Sequence, residues 1–368
     1  MPPGAREALA RTNFTNLDWG IVAGYLLISL VIGLLVRKYA TNMASYIGAG
    51  RALGTCLGIA TMTGTEMGLI TIMYSAEKGF EGGFATFHIA LAAGLVTLAV
   101  GATGFIVARL RDLRVLTIPE FYERRFGRGV RVFGAMVLIF GGVLNMGLFL
   151  KVGSQFIVGI TGMSADAQAL PYVMGALLGL VLVYTVLGGM ISVVITDYIQ
   201  FVVLSFGLLL TTGLAIYHLG WQNLFDTVAA HMGEGGFNPL AEGSAFGPEY
   251  VLWMFFLGLV SCAIWPTAVA RALAMESAQA VKRQYMWSSV SFLIRFLIPY
   301  FWGICAFVFF MTAAPDLQAL FIDEGPTGEP AMGSLTAMPV FLGRILPAGL
   351  IGILSAAMIA AFMSTHDS

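Results

Sequence analysis

Charge is what this chain has least of. Its 368 residues include 19 lysines and arginines and 20 aspartates and glutamates, so charged residues make up 11%. A soluble protein carries about one quarter. The net charge of −1 gives no basic footprint for nucleic acid. Cysteine is scarce as well. Cys56, Cys262 and Cys305 all fall in apolar segments, far from metal-ligand spacing, and read as small packing residues. The pattern shows no nucleophile–base pair, metal cluster or phosphate loop, which argues against an enzyme. The first seventeen residues are polar and lack a charged stretch followed by a cleavage site, so no cleaved leader is expected.

Apolar sequence is what the chain has in abundance: 58% of residues are hydrophobic, with a mean hydropathy of +0.86. A bilayer span needs about 20 mostly apolar residues. Nine stretches meet that rule: 18–36, 55–76, 84–108, 132–161, 169–187, 191–219, 250–272, 286–313 and 339–365. The expected fold is an all-α membrane protein forming a single transmembrane domain over 1–368. Basic residues mark the cytoplasmic side of a membrane protein. Placing the N-terminus outside puts Arg37, Lys38, Arg51, Arg109, Arg111, Arg114, Arg124, Arg125, Arg128, Arg131, Arg271, Lys282 and Arg283 inside, and leaves Arg6, Arg11 and Lys78 outside. The segments 220–249 and 315–338 are rich in Gly, Pro and acidic residues and read as outer loops. The chain stops at His366-Asp367-Ser368, directly behind its last apolar helix, so it is expected to be a longer protein truncated after nine helices.

Polar groups at bilayer depth are costly without partners, so those that occur point to function. In the helix 339–365, Ala361, Ser364 and Thr365 follow i, i+3, i+4 spacing and share one face. Thr63-Gly64-Thr65-Glu66-Met67-Gly68 interrupts the helix 55–76 and could free carbonyl oxygens to meet them. Oxygen ligands from two membrane helices, one of them broken, suit a small hard cation, with sodium the first expectation. The plainer alternative is that the hydroxyls bond back to the i−4 carbonyl and pack against a neighbour. Pro266 should break the helix 250–272, which carries Gly258, Ser261, Cys262 and Trp265. Two interrupted helices are a sequence pointer to a midplane binding site.

Four ionisable residues lie at depth. Glu66 could attract a cation, take up a proton or pair with a buried base. Lys151 and Arg295 could each meet an anionic group of a solute, and Lys151 could equally snorkel to the interface. Arg344, near the outer end of its helix, reads as an interface anchor. Asp197, on one helix face with Thr196 and Gln200, is either a salt-bridge partner of the inner loops or an inner gate. Thr117-Ile118-Pro119-Glu120 carries a capping-box signature for an amphipathic interfacial helix, its arginines reading as anionic-lipid anchors. Gly188 and Gly189 mark a tight turn between two helices.

Taken in order, several motifs resemble the sodium/solute symporter family. They are Tyr46-Ile47-Gly48-Ala49-Gly50-Arg51 with Leu53-Gly54, then Thr117-Ile118-Pro119-Glu120-Phe121 with Arg125-Phe126-Gly127. Gly188-Gly189-Met190 with Thr196-Asp197 and Gln200, Ala270-Arg271 with Ala274 and Ser277, and Met363-Ser364-Thr365 follow. The resemblance implies a leucine-transporter-like inverted repeat, with one extra N-terminal helix, five core helices and three helices of a second repeat. It also implies a sodium site from the backbone oxygens of Gly64, Met67 and Ala361 and the hydroxyls of Ser364 and Thr365. Glu66 falls where the proline-transporting branch has an Asp. Gly258 and Cys262 replace that branch's Trp and Tyr, so proline is not the expected solute, and Trp265 is left as a gating aromatic. The resulting expectation is sodium-coupled import of a small organic solute, with Na+ as coupling ion and lipid as surroundings. A proton-coupled carrier using Glu66 and a solute-binding sensor domain are the alternatives.

Overall fold

Helix starts and stops divide the apolar runs into more pieces than hydropathy alone suggests. The computed structural model describes residues 4–36, 51–166, 168–187, 190–323 and 328–366, with only the backbone described at 33–34, 36, 183–187, 190–197, 200 and 263. The helices are α1 (Ala5–Ala10), α2 (Asn16–Val36), α3 (Thr55–Glu66), α4 (Leu69–Gly82), α5 (Phe87–Thr103), α6 (Val107–Asp112), α7 (Ile118–Phe126), α8 (Arg128–Ile160), α9 (Ala169–Leu187) and α10 (Met190–Leu219). They continue with α11 (Trp221–Met232), α12 (Pro248–Ile264), α13 (Pro266–Ala274), α14 (Ala278–Thr312), α15 (Pro315–Phe321), α16 (Ala337–Ile345) and α17 (Leu350–His366). Among the described residues there is no strand, only an isolated bridge between Leu53 and Met275.

The break expected in 55–76 is present: α3 ends at Glu66 and α4 starts at Leu69 behind an extended Gly68. Pro266 likewise separates α12 from α13 across a 43° bend. Two expectations fail. The stretch 339–365 is not one helix, because Pro347 lacks a backbone donor and Gly349 takes φ +88°, so α16 and α17 are separate. The presumed outer loops contain α11 and α15. Thr117 caps α7 as expected. The Glu120 amide donates to its hydroxyl at 3.3 Å, and the Leu116 amide donates to the Glu120 carboxylate at 2.7 Å. Burial works against that carboxylate, yet the Leu116 amide and the Arg124 guanidinium outweigh it and hold Glu120 below the ordinary range. The turn at Gly188-Gly189 and the motif 46–50 lie outside the described residues.

Asp18 fixes the start of α17 from outside. Fully buried on α2, it accepts from the amides of Gly349 at 2.7 Å and Gly352 at 2.8 Å, the orphan donors of a helix N-terminus. Arg344, expected as an interface anchor, instead donates to Asp316 at 2.7 Å and to the Ala8 carbonyl. Trp302 at the centre of α14 donates to Thr212 on α10 at 3.0 Å.

The outer surface is apolar. Phe133, Met136, Ile139, Phe140, Val143 and Leu144 of α8 are all exposed, as are Leu252 and Phe256 of α12. Lipid is the solvent such a surface suits. Among the described residues four helices are long and apolar enough to cross a bilayer, or five if α12 and α13 count as one bent span.

The closest helix contact joins α4 to α14. A Cβ on Gly303 would stand 1.8 Å from the Ala76 carbonyl oxygen, and one on Gly79 would stand 2.0 Å from that of Tyr300. Small residues let membrane helices approach this way. Gly303→Ala should therefore destabilise by about 1–3 kcal/mol through overpacking. Gly141→Ala on the open face of α8 should leave the thermal unfolding midpoint in detergent unchanged or raise it. Equal midpoints for the two variants would contradict the packing described.

Candidate functional site

A helix broken inside an apolar bundle leaves carbonyls without their usual partners, and the chain gathers polar side chains around that break. A cavity of about 300 Å³ opens where the α3–α4 break faces the α12–α13 break. Glu66 and Thr65 of α3, Gly258, Cys262 and Trp265 of α12, Thr267 of α13, Arg295 of α14 and Thr365 of α17 are among its walls. Four of the expected solute candidates thus meet in one place with Glu66.

Of the three expected roles of Glu66, pairing with a buried base is the one seen, and the base is Arg295, expected instead to meet an anionic group of the solute. Nη1 of Arg295 donates to the Glu66 carboxylate at 3.0 Å and to the Glu66 backbone carbonyl at 2.8 Å. The second carboxylate oxygen accepts from the Thr267 hydroxyl at 2.8 Å. The guanidinium also lies 3.9 Å from the Phe292 ring centroid and 4.6 Å from that of Phe296, a cation–π arrangement. Both charged side chains are only 10% exposed. A pair so buried stabilises little in net terms, because desolvation offsets the Coulomb gain, but losing one partner strands the other.

Beside the cavity, α17 meets α3. Thr365 donates to the Ala361 carbonyl at 2.9 Å, and its hydroxyl stands 3.4 Å from the Thr65 carbonyl. The plainer reading of Thr365 is thus realised, and it is compatible with the other, since a hydroxyl that gives its proton away keeps lone pairs for a cation. Gly64, Met67, Ala361, Ser364 and Thr365 are all buried. Gly68 is required here: a Cβ would fall 2.6 Å from the Thr365 hydroxyl oxygen.

One candidate stands elsewhere. Lys151 is exposed and does not line the cavity; Phe149, two residues earlier and so about 200° round α8, does. Asp197 belongs to α10, and its side chain lies outside the described residues. Two partners escaped the sequence reading. Thr267 holds Glu66 from just behind Pro266, in the first turn of the helix that this proline starts. Arg271, expected among the inner-loop charges, is fully buried and donates to the Thr65 hydroxyl at 2.8 Å. Its place five residues into the second half of a broken apolar helix was the available signal.

Residues 46–368 match the model of the sodium:solute symporter family. The chain belongs to that family. It is 25% identical over 376 residues to the sodium/glucose cotransporter of Vibrio parahaemolyticus, covering 96% of this chain and 66% of that protein. Sodium/glucose cotransporter 2 of Rattus norvegicus is 24% identical over 95% of this chain and 55% of its own length. The high-affinity proline transporter of Bacillus subtilis is 26% identical over 69% and 53%. The chain therefore spans between about half and two thirds of these relatives. A substrate-bound, outward-open Na+-coupled sialic acid symporter superposes with a TM-score of 0.79 at 18% identity, over 96% of this chain and 72% of that one. The leucine-transporter-like fold expected of the family is thereby shown, and the protein is an integral membrane protein of a transporter family.

The pair can be tested by a double-mutant cycle. Glu66→Gln and Arg295→Gln should each destabilise by about 3 kcal/mol, since each strands a buried charge. The double variant should lose at least 1 kcal/mol less than their sum. Additive losses in thermal unfolding would show that the two side chains do not depend on each other.

Proposed function

We propose that this chain forms the core of a symporter that couples inward sodium movement to uptake of a small organic solute without net charge. The observation carrying this reading is the meeting of two helix breaks at one cavity, with a face of hydroxyl and carbonyl oxygens on α17 against the first break. Gly64, Met67 and Ala361 would offer backbone oxygens and Ser364 and Thr365 hydroxyls to sodium. An all-oxygen donor set suits a hard cation.

Charge balance supports the solute class. Glu66 and Arg295 alone among the lining residues carry formal charge, and they neutralise each other. Lys151 contributes nothing to the cavity, so the argument for an anionic solute loses both its supports. A lone carboxylate would have to pull Arg295 away from Glu66. Glucose and proline, named for two of the relatives, carry no net charge, while the sialic acid named for the structural neighbour is a carboxylate. Both oxygens of the Glu66 carboxylate are already engaged, which favours sodium over a proton as the coupling ion.

Sodium held between α3 and α17 would join two helices that otherwise share a long polar contact, and the completed wall would present the cavity to solute from the outside. Each inward charge supplies about 2.3 kcal/mol per 100 mV, about a fiftyfold gradient of solute. The outward-facing N-terminus and a place in the cell membrane belong to the same proposal. The orientation is supported by Arg111, Arg114 and Arg124 gathering near the N-terminal end of α14, and by Glu77, Glu81 and Asp316 standing near its other end.

Sodium that binds the folded chain must raise its unfolding midpoint. Replacing choline by sodium in detergent should do so saturably. Ser364→Ala/Thr365→Ala should raise the half-saturating sodium concentration at least tenfold, about 1.4 kcal/mol. An unchanged sodium response in the double variant would remove this site assignment, and sodium-independent uptake in vesicles would remove the coupling.

A further inference from the structure

A second pocket, of about 430 Å³, shares no wall with the central cavity and is lined by Arg51, Arg111, Asp112, Arg114, Glu276, Ser277 and Ala278. Three arginines against two carboxylates leave it positive. Arg111 is only 8% exposed, and its guanidinium is fixed by donation to the carbonyls of Met275 and Glu276. Arg51 donates to the Arg114 carbonyl, so two of the three lining guanidinia, those of Arg51 and Arg111, are tied to the backbone, and the exposed Arg114 stands beside them. Burial first, then the like charges of Arg51 and Arg114, push the Arg111 guanidinium below its ordinary value, with Asp112 opposing. The lining arginines outnumber Asp112 and Glu276 by one, so the pocket keeps a net positive charge to offer an anion.

The helix geometry adds to this. Ser277 caps α14, accepting from the Ala280 amide at 3.1 Å, and the first turn of this 35-residue helix opens onto the pocket with the positive end of its dipole. Leu113, between two lining residues, is 46% exposed, and Phe105 and Ile106 at the neighbouring turn are exposed too. Apolar side chains flanking a basic pocket at one end of a membrane bundle match the boundary between headgroups and acyl chains.

We propose that this pocket binds a phosphate group, with the arginine guanidinia supplying paired donors and the α14 N-terminus supplying a dipole. The phosphate belongs either to an anionic lipid headgroup or to a free ion. The proposal is independent of the sodium reading. The purified chain in neutral detergent, at constant sodium, is titrated with dioctanoyl phosphatidic acid, dioctanoyl phosphatidylcholine and choline phosphate while thermal unfolding is followed. Phosphatidic acid should raise the midpoint saturably and phosphatidylcholine should not. Choline phosphate acting as well as the lipid assigns the site to the free ion, and a response to the lipid alone assigns it to the headgroup. Arg51→Gln/Arg114→Gln should raise the half-saturating concentration at least tenfold, while Arg6→Gln/Arg11→Gln on the exposed surface at the opposite end of α14 should leave it unchanged. Should the first pair unfold, Arg114→Gln alone, at an exposed side chain, serves with an expected threefold rise. An unaltered half-saturation in the pocket variants, an equal loss in the surface variants, or no response to either phosphate compound would overturn the proposal.

Discussion

A membrane helix that stops in the middle of the bundle has to account for every carbonyl it leaves unbonded, and here that constraint organises the centre of the molecule. At the α3–α4 break the Glu66 carbonyl is met by Arg295, and the Thr65 carbonyl lies within reach of Thr365. Arg295 then needs a counter-charge, which the side chain of the same Glu66 supplies, and Thr267 completes that carboxylate. The break, the ion pair and the second break at Pro266 are one arrangement. Bonded this way, the Glu66 carbonyl and carboxylate both have partners at bilayer depth.

Much of this was legible in the residue order, for identifiable reasons. Gly64 and Gly68 around Glu66 announced an interruption, because two flexible residues and a charge do not sit in an ordinary apolar span. The capping box at Thr117 rested on contacts within four residues and came out as read. The motif order carried the family and with it the fold. The failures were of two kinds. In 339–365 a continuous apolar run masked Pro347 and Gly349, whose backbone limits outweigh hydropathy. In the site, a buried base was one expected partner of Glu66, but Glu66 and Arg295 are 229 positions apart and no local spacing says which base it is. Lys151 is exposed, as its snorkelling alternative has it, because depth along a helix says nothing of which face a side chain occupies.

The same polar contacts divide the molecule into parts held with different strength. Within one part, Arg295 joins α14 to α3, Arg271 joins α13 to α3, and glycine contacts seat α14 on α4. These links are short, charge-assisted or dry, and they favour moving together. Across to α17, Thr365 approaches the Thr65 carbonyl at 3.4 Å, longer than any of these and between neutral groups. A cation placed at that boundary has the most leverage, because it adds a strong bond where the protein has a weak one. Placed inside the first part it would change little, since the pieces there are already held. Sodium bound as proposed would thus complete a junction that Thr365 and the Thr65 carbonyl bridge at long distance.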